Sequence, residues 1–328
     1  MADNKDLLLI NGYSGLGDRI CDIVGSYIIA KYLGYKLNVL FNPVIGTKQA
    51  WGITHAYDIR LFDFDNKNIT VFNNENNINC NYNYFIRLLQ NGSSTSPYFI
   101  YKFLKKYIDI TFEEIIDNYN NYAKEIIKPS KIIQDNIPEN LNNTYGIHLR
   151  KTDQICKCDV YSGSSNTINE FNIICNALFD DIYNIILTEI EPLFLITSED
   201  NEWKEYFKNE LLTFAKNNNK IINFINLNYD YSNIYDNYNA VLDLFCLSKC
   251  KKIFQGIKYS TFSVSAAIIG NTEIINYTHK LECYNIWLMH IYNPVIKINN
   301  KKETNINLIT QILINNEPNI YTNIIQNI

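Results

Sequence analysis

The chain has 328 residues, 47% of them apolar, enough for one large or two ordinary domains with buried cores. Its formal net charge is −5 and its pI near 5.5, so no broad basic surface points to a nucleic-acid partner. No window approaches about eighteen uninterrupted apolar residues, and the opening MADNKDLLLINGY lacks the basic-then-apolar pattern of a signal peptide. The expectation is a protein of the cytoplasm with no membrane span.

In chain order, DLLLING (6–12) is a short apolar run ending in Asn-Gly and predicts a buried strand closing at a turn. Helical spacing follows over RICDIVGSYIIAKYLGY, and KLNVLFN then alternates as a strand does. This β-loop-α-β opening begins an open parallel sheet. Residues 60–100 are Asn-rich and irregular, 101–127 read as helices, and KPSKIIQDNIPENLNNT has the composition of a connection. A second α/β unit starts near TYGIHLR. It continues with a helix over roughly 168–190, the strand PLFLITS, the helix EDNEWKEYFKNELLTFAKN and the strand KIINFINL. The helix NAVLDLFCLSKC, the strand KIFQG, a helix near 262–269 and the strand TEIINY complete it. The predicted division is an α/β domain over 1–140, a second α/β domain over 141–300, and a helical tail over 301–328 that packs back across the first. Two facing domains of this kind leave a cleft at the carboxyl ends of their strands, where such sheets bind ligands.

Eight cysteines show no secreted-scaffold spacing, and Cys156-Lys-Cys158 is too tight for the usual zinc pair, so reduced thiols are expected. Asn is abundant, which we read as codon bias; the Asn-x-Ser/Thr matches at Asn68 and Asn91 are then near chance.

Four stretches at strand-to-helix junctions carry candidate chemistry. GYSGLGDRI (12–20) sets glycines, among them Gly15 and Gly17, where a strand meets a helix, so that backbone amides can approach an anionic ligand. The G-x-G-x-x-G dinucleotide spacing is missing, which argues against an NAD site, and a plain tight turn is the competing explanation. Asp18 and Arg19 follow at the helix start. GIHLRKTD (146–153) places His148 and Arg150 on one strand face, with Asp153 just beyond; Arg150 on a rigid strand end suits a bidentate grip on phosphate. A structural salt bridge at an exposed strand end would produce the same pattern. LFLITSEDNEW (193–203) ends a strand in Thr197, Ser198, Glu199 and Asp200; Ser198 or Thr197 is the expected N-cap, with the two carboxylates complementing the helix dipole. LSKCKKIFQGIKYSTFSVSAAIIG (247–270) opens a helix with Ser260, Thr261 and Ser263, hydroxyls that can cradle phosphate or simply cap the helix.

Taken together, the four blocks resemble the GT-B fucosyltransferases, the superfamily of α1,6-, α1,2- and protein O-fucosyltransferases. GLGDRI…AKYLGYKLNVLF looks like the N-terminal glycine-loop unit, and HLRKTD is close to the H-V-R-R-T-D element of the α1,6 group. LITSEDNEWKEYF resembles the acidic turn of the donor domain. DLFCLSKCKKIF…STFS resembles the block in which an Asp-x-x-x-Leu-Ser helix precedes Thr-Phe-Ser. The likeness spans residues 7–277 by motifs alone.

The resemblance implies a GT-B-like fold of two facing Rossmann-like domains and no cofactor beyond the donor, GDP-fucose or another nucleotide sugar. It implies transfer with inversion to a glycan or protein hydroxyl, without a divalent metal. Arg150 would hold the β-phosphate, His148 the guanosine part and the turn of Glu199 and Asp200 the guanine edge. Ser260, Thr261, Ser263 and nearby amides would bind phosphates, and Gly15, Gly17, Asp18 and Arg19 would face donor or acceptor. Two departures stand out. Ser198 occupies the place where the family usually has Asp, and QICKCDV replaces the lysine and glutamate that follow the arginine motif, so Asp153 and Asp159 are the candidates for a catalytic base. The D-x-D of Asp63 and Asp65 lies in an Asn/Asp-rich loop and is not expected to hold metal. The Tyr- and Asn-rich stretch 73–101 is a guess for the acceptor wall. A nucleotide-sugar-binding protein with a decayed site is the alternative function; a Rossmann oxidoreductase or methyltransferase fits the glycine spacing less well.

Overall fold

A computed structural model describes residues 6–10, 15–41, 57–64, 67–72, 84–86, 97–150, 168–229, 237–256, 260–277 and 296–298. The candidate bases Asp153 and Asp159, the pair Cys156/Cys158, Asp65, the 301–328 tail and most of 73–101 lie outside them.

The first sheet is parallel, in the order β4-β2-β1-β5. The chain reaches it through β1 (Asp6–Ile10), α1 (Leu16–Leu33), β2 (Lys36–Leu40), β3 (Phe62–Asp63), β4 (Ile69–Phe72) and β5 (Tyr84–Ile86). Asp63 is exposed on β3, which pairs antiparallel with β6 (Lys128–Pro129). Helices α2 (Pro97–Leu104), α3 (Phe112–Ile126) and the short α4 (Lys131–Gln134) cover this half and lead out of it. The second sheet, in the order β12-β11-β10-β7-β8-β9, is also parallel. Its strands are β7 (Thr144–Leu149), β8 (Leu193–Ser198), β9 (Asn223–Ile225), β10 (Lys252–Gly256), β11 (Ile274–Asn276) and β12 (Ile296–Ile298). Between them run α5 (Ile168–Thr188), α6 (Asn201–Asn217), α7 (Tyr238–Ser248) and α8 (Thr261–Gly270).

Period-2 alternation in β7 assigns the two faces of the second sheet. Tyr145, Ile147 and Leu149 point into a core with Phe194, Ile196 and Phe254 of the neighbouring strands and with Ile174, Leu178, Ile182, Phe207 and Leu211 of α5 and α6. Gly146 and His148 face the other way, toward α7 and α8, and the row of Gly146, with Leu195, Ile253 and Ile274, belongs to a second, larger core. That core runs on without a break into the first half of the chain, through α8, α1 and α3, to Leu37 and Val39 of β2. Helices α1 and α8 are apolar nearly all round because each is enclosed on every side, α1 between its own sheet and α8. Helix α1 ends at Gly34, whose φ of 70° lets its N–H reach Ala30 O and Lys31 O.

Candidate active site

The two halves meet at the N-termini of α1 and α8. A Cβ on Gly17 would lie 2.2 Å from the Thr261 carbonyl carbon and 2.3 Å from Phe262 N, so only glycine admits the α8 backbone this close. Ser265 Oγ donates to Gly17 O at 2.8 Å, and Cys21 Sγ lies 3.4 Å from Ser265 Oγ. Two helix starts, each with unsatisfied amides and the positive end of a dipole, are thereby held side by side. Gly15 is the exposed N-cap of α1 with open space around its Cα. Asp18, half-buried, is hydrogen-bonded with the Thr261 side chain and feels the Arg150 and Arg19 guanidiniums; burial nonetheless raises its pKa.

Arg150 follows the last residue of β7 and is partly exposed. Its charge reaches Asp18, Tyr57 and His148. Arg150 therefore stands at the carboxyl rim of the second sheet beside the paired helix starts. Arg19 does not join it. Its side chain is 1% exposed, turned inward, with Nη1 donating to Phe41 O at 3.1 Å and the guanidinium over the rings of Tyr57 and Phe41 at 5.0 and 5.7 Å. The expectation that it faces a ligand is corrected: with Asp22 nearby, Arg19 ties α1 to the end of β2.

His148 is also more enclosed than its motif suggested, at 6% exposed. Its Nδ1 lies 3.1 Å from Ser263 Oγ, and Ser263 Oγ in turn donates to Ser260 O at 3.4 Å. The ring is a neutral imidazole hydrogen-bonded through Nδ1 with the Ser263 hydroxyl. Burial and the Arg150 charge hold its pKa down to about 3. Phe262 packs against the ring at 5.2 Å between centroids. The geometry thus assigns His148 and Ser263 to fixing the first turn of α8, where the sequence suggested ligand contacts.

Residues that the motifs passed over complete this support. In the register of the sheet, Asn276, Gln255, His148 and Thr197 form one row across β11, β10, β7 and β8, all buried and on the face toward α7 and α8. Asn276 Nδ2 donates to Gln255 Oε1 at 2.6 Å, and Gln255 Nε2 donates to Ser260 O at 3.0 Å. Among the described residues, Ser260 Oγ and Thr197 Oγ1 are buried without a hydrogen-bond partner, so polar capacity remains beside the row. The available sequence signal was a single amide side chain near the end of each apolar strand, Gln255 in KIFQG and Asn276 in TEIIN.

The acidic turn is corrected as well. Asp200, not Ser198 or Thr197, caps α6: its Oδ1 accepts from Trp203 N at 2.9 Å, while Ser198 Oγ accepts from Asp200 N at 3.1 Å. Glu199 is exposed. A different carboxylate on this side of the sheet is half-buried and paired. Asp243 of α7 accepts from Tyr229 OH at 2.8 Å, the Lys204 ammonium lies over the Tyr229 ring at 4.9 Å, and burial pushes the Asp243 carboxyl up to about 7. Asp243 opens the Asp-x-x-x-Leu-Ser block of α7. Among the described residues, no three His, Cys, Asp or Glu side chains converge as a metal site would require, and no helix is long and apolar enough to cross a membrane.

No protein-family model matches the sequence, and no curated protein matches it. Solved structures do. A NodZ α1,6-fucosyltransferase co-crystallised with GDP is 10% identical, with 84% of this chain and 96% of that chain covered and a TM-score of 0.51. POFUT1 in complex with GDP is 12% identical, covering 84% and 99%, at 0.48. FUT1 from Arabidopsis thaliana is 13% identical, covering 86% and 72%, at 0.46. The fold assignment rests on the NodZ likeness: this chain has the GT-B fold of the fucosyltransferases, as its four motifs suggested.

Proposed function

We propose that the chain is an inverting glycosyltransferase that takes a deoxysugar from GDP-fucose, or a related nucleotide sugar, to a hydroxyl of a glycan or protein acceptor. The observation that carries this reading is the pairing of the α1 and α8 N-termini through Gly17 and Thr261, with Arg150 beside them at the strand rim. Amides and a guanidinium so placed suit a pyrophosphate, and they act most strongly where charge builds up as the nucleotide departs. In a single displacement, the acceptor oxygen attacks the anomeric carbon, the bond to the β-phosphate oxygen breaks, and the acceptor proton passes to a base. Asp153 and Asp159 stay the candidates for that base. Because Asp200 is engaged as a helix cap, Asp243 with Tyr229 is the better choice for reading the base of the nucleotide. The four-strand polar row holds the α8 turn that binds the phosphates.

The test is a thermal-shift panel of GDP-fucose, GDP, UDP, UDP-rhamnose and UDP-GlcNAc, followed by a transfer and donor-hydrolysis assay in excess chelator. A guanine nucleotide should raise Tm, and turnover should persist without divalent metal. A response to uridine nucleotides alone would move the donor; activity lost in chelator and restored by manganese would overturn the metal-independent mechanism. Binding without transfer or hydrolysis would favour a nucleotide-sugar-binding protein.

A further inference from the structure

Asp18 hydrogen-bonds with Thr261 and lies in the field of the Arg150 guanidinium, the two groups assigned above to the leaving diphosphate. From α8, Thr261 hydrogen-bonds to it; from the end of β7, Arg150 attracts it; from its own helix, Arg19 does the same, although that guanidinium is committed to Phe41 O. Among the described residues, Tyr57 and Cys21 also feel its charge. A carboxyl group therefore sits against the positive helix starts and the guanidinium that a phosphate would need. Two anions cannot share those partners without strong repulsion. We propose that Asp18 is a resident anion, holding Thr261 and Arg150 in place until a diphosphate replaces it, and that it takes up one proton in the exchange. This rests on the diphosphate reading of the site. The proton comes from solvent and converts the carboxylate to a carboxylic acid, whose O–H then donates to a phosphate oxygen while Arg150 turns its whole charge to the ligand. A buried carboxylic acid kept neutral near pH 7 is a known form of anion stabilisation. Burial raises the Asp18 pKa despite Thr261 and two arginines, which is the direction the exchange needs.

The experiment is calorimetric titration of the full chain and of Asp18→Asn with GDP and with inorganic pyrophosphate, each in two buffers of different ionisation enthalpy, from pH 6 to 8.5. The wild type should take up about one proton per GDP at pH 7.5 relative to Asp18→Asn. Its affinity should fall about tenfold per pH unit relative to the variant, which has no carboxylate to neutralise. The ligand's own phosphate ionisation is common to both proteins and cancels in the difference. Equal proton counts and pH slopes in the two proteins would overturn the role of Asp18 while leaving the diphosphate site standing. Failure of both ligands to bind would remove the site and the inference together. Pyrophosphate binding with uptake, but without GDP binding, would keep Asp18 and discard guanosine. If Asp18→Asn does not fold, the wild-type count with GDP at pH 7.5 decides: no uptake refutes the exchange.

Discussion

His148 and Asp243 titrate in opposite senses, and that opposition is measurable. The folded pKa of His148, about 3, lies below the ordinary value near 6.5, so folding excludes its proton and stability falls as pH drops from about 6.5 toward 3. Asp243 at about 7 lies above the usual carboxylate range, so its stabilisation is complete below about 4 and is lost as pH rises to about 7. Each contributes a slope of about 1.4 kcal/mol per pH unit. Between about pH 4 and 6.5 the two nearly cancel. His148→Gln should remove one slope, making stability rise on acidification relative to the wild type; Asp243→Asn should do the reverse. Urea unfolding at pH 4.5, 5.5 and 6.5 checks this, and parallel profiles for all three proteins would refute it. Arg150→Ala is expected to lower turnover by about a hundredfold or more, an effect of roughly 3–4 kcal/mol on the transition state, with little change in Tm. At this scale the sequence was partly legible. Alternation in GIHLR put His148 opposite Leu149, but not its burial, because its partner Ser263 is 115 residues away and α8 covers that face. Arg19 misled for the same reason: its acceptor is a carbonyl at the end of β2.

Among the elements, α1 and α8 depend on the absence of a side chain. Gly17→Ala places a methyl inside backbone, which cannot rotate away as a side chain could, so it should cost roughly 1–3 kcal/mol and weaken nucleotide binding with it. Gly15→Ala, two residues earlier, meets nothing within 4 Å and has an ordinary φ of −64°, so it should leave Tm within a degree or two. Two glycines of one motif thus separate by denaturation and GDP-induced Tm shift; equal effects would contradict the packing. Helix and strand order were readable from periodicity, since each element repeats its apolar residues at its own spacing. The α6 cap was not: Thr197, Ser198 and Asp200 all have capping chemistry, and the choice falls to Asp200 because β8 runs through Ser198 and α6 starts only at Asn201, which puts Asp200 directly before the helix within reach of Trp203 N.

At the scale of the molecule, the two sheets share one continuous core. Behind the strand rim the larger core runs from Leu37 and Val39 through Ile20, Val24 and Ile28 of α1 to Val264, Ala267 and Ile268 of α8. Phe62 of the first half packs on Phe245 of α7 at 5.8 Å, and Asn120 of α3 donates to Asn271 Oδ1, just after α8, at 3.0 Å. Composition could not show this, because apolar all-round helices read the same whether buried by their own sheet or by a neighbour's. Apolar area buried between the halves stabilises each only while the other is folded, so unfolding should be one cooperative event. Phe245→Ala tests the coupling. Removing a ring that contacts both halves should cost about 3–5 kcal/mol and lower the whole transition. Calorimetry should give one peak with calorimetric and van't Hoff enthalpies in agreement, before and after the substitution. A variant trace that splits into two peaks, one of them at the wild-type temperature, would mean that the halves hold themselves together separately and that the helix starts at Gly17 and Thr261 are free to part.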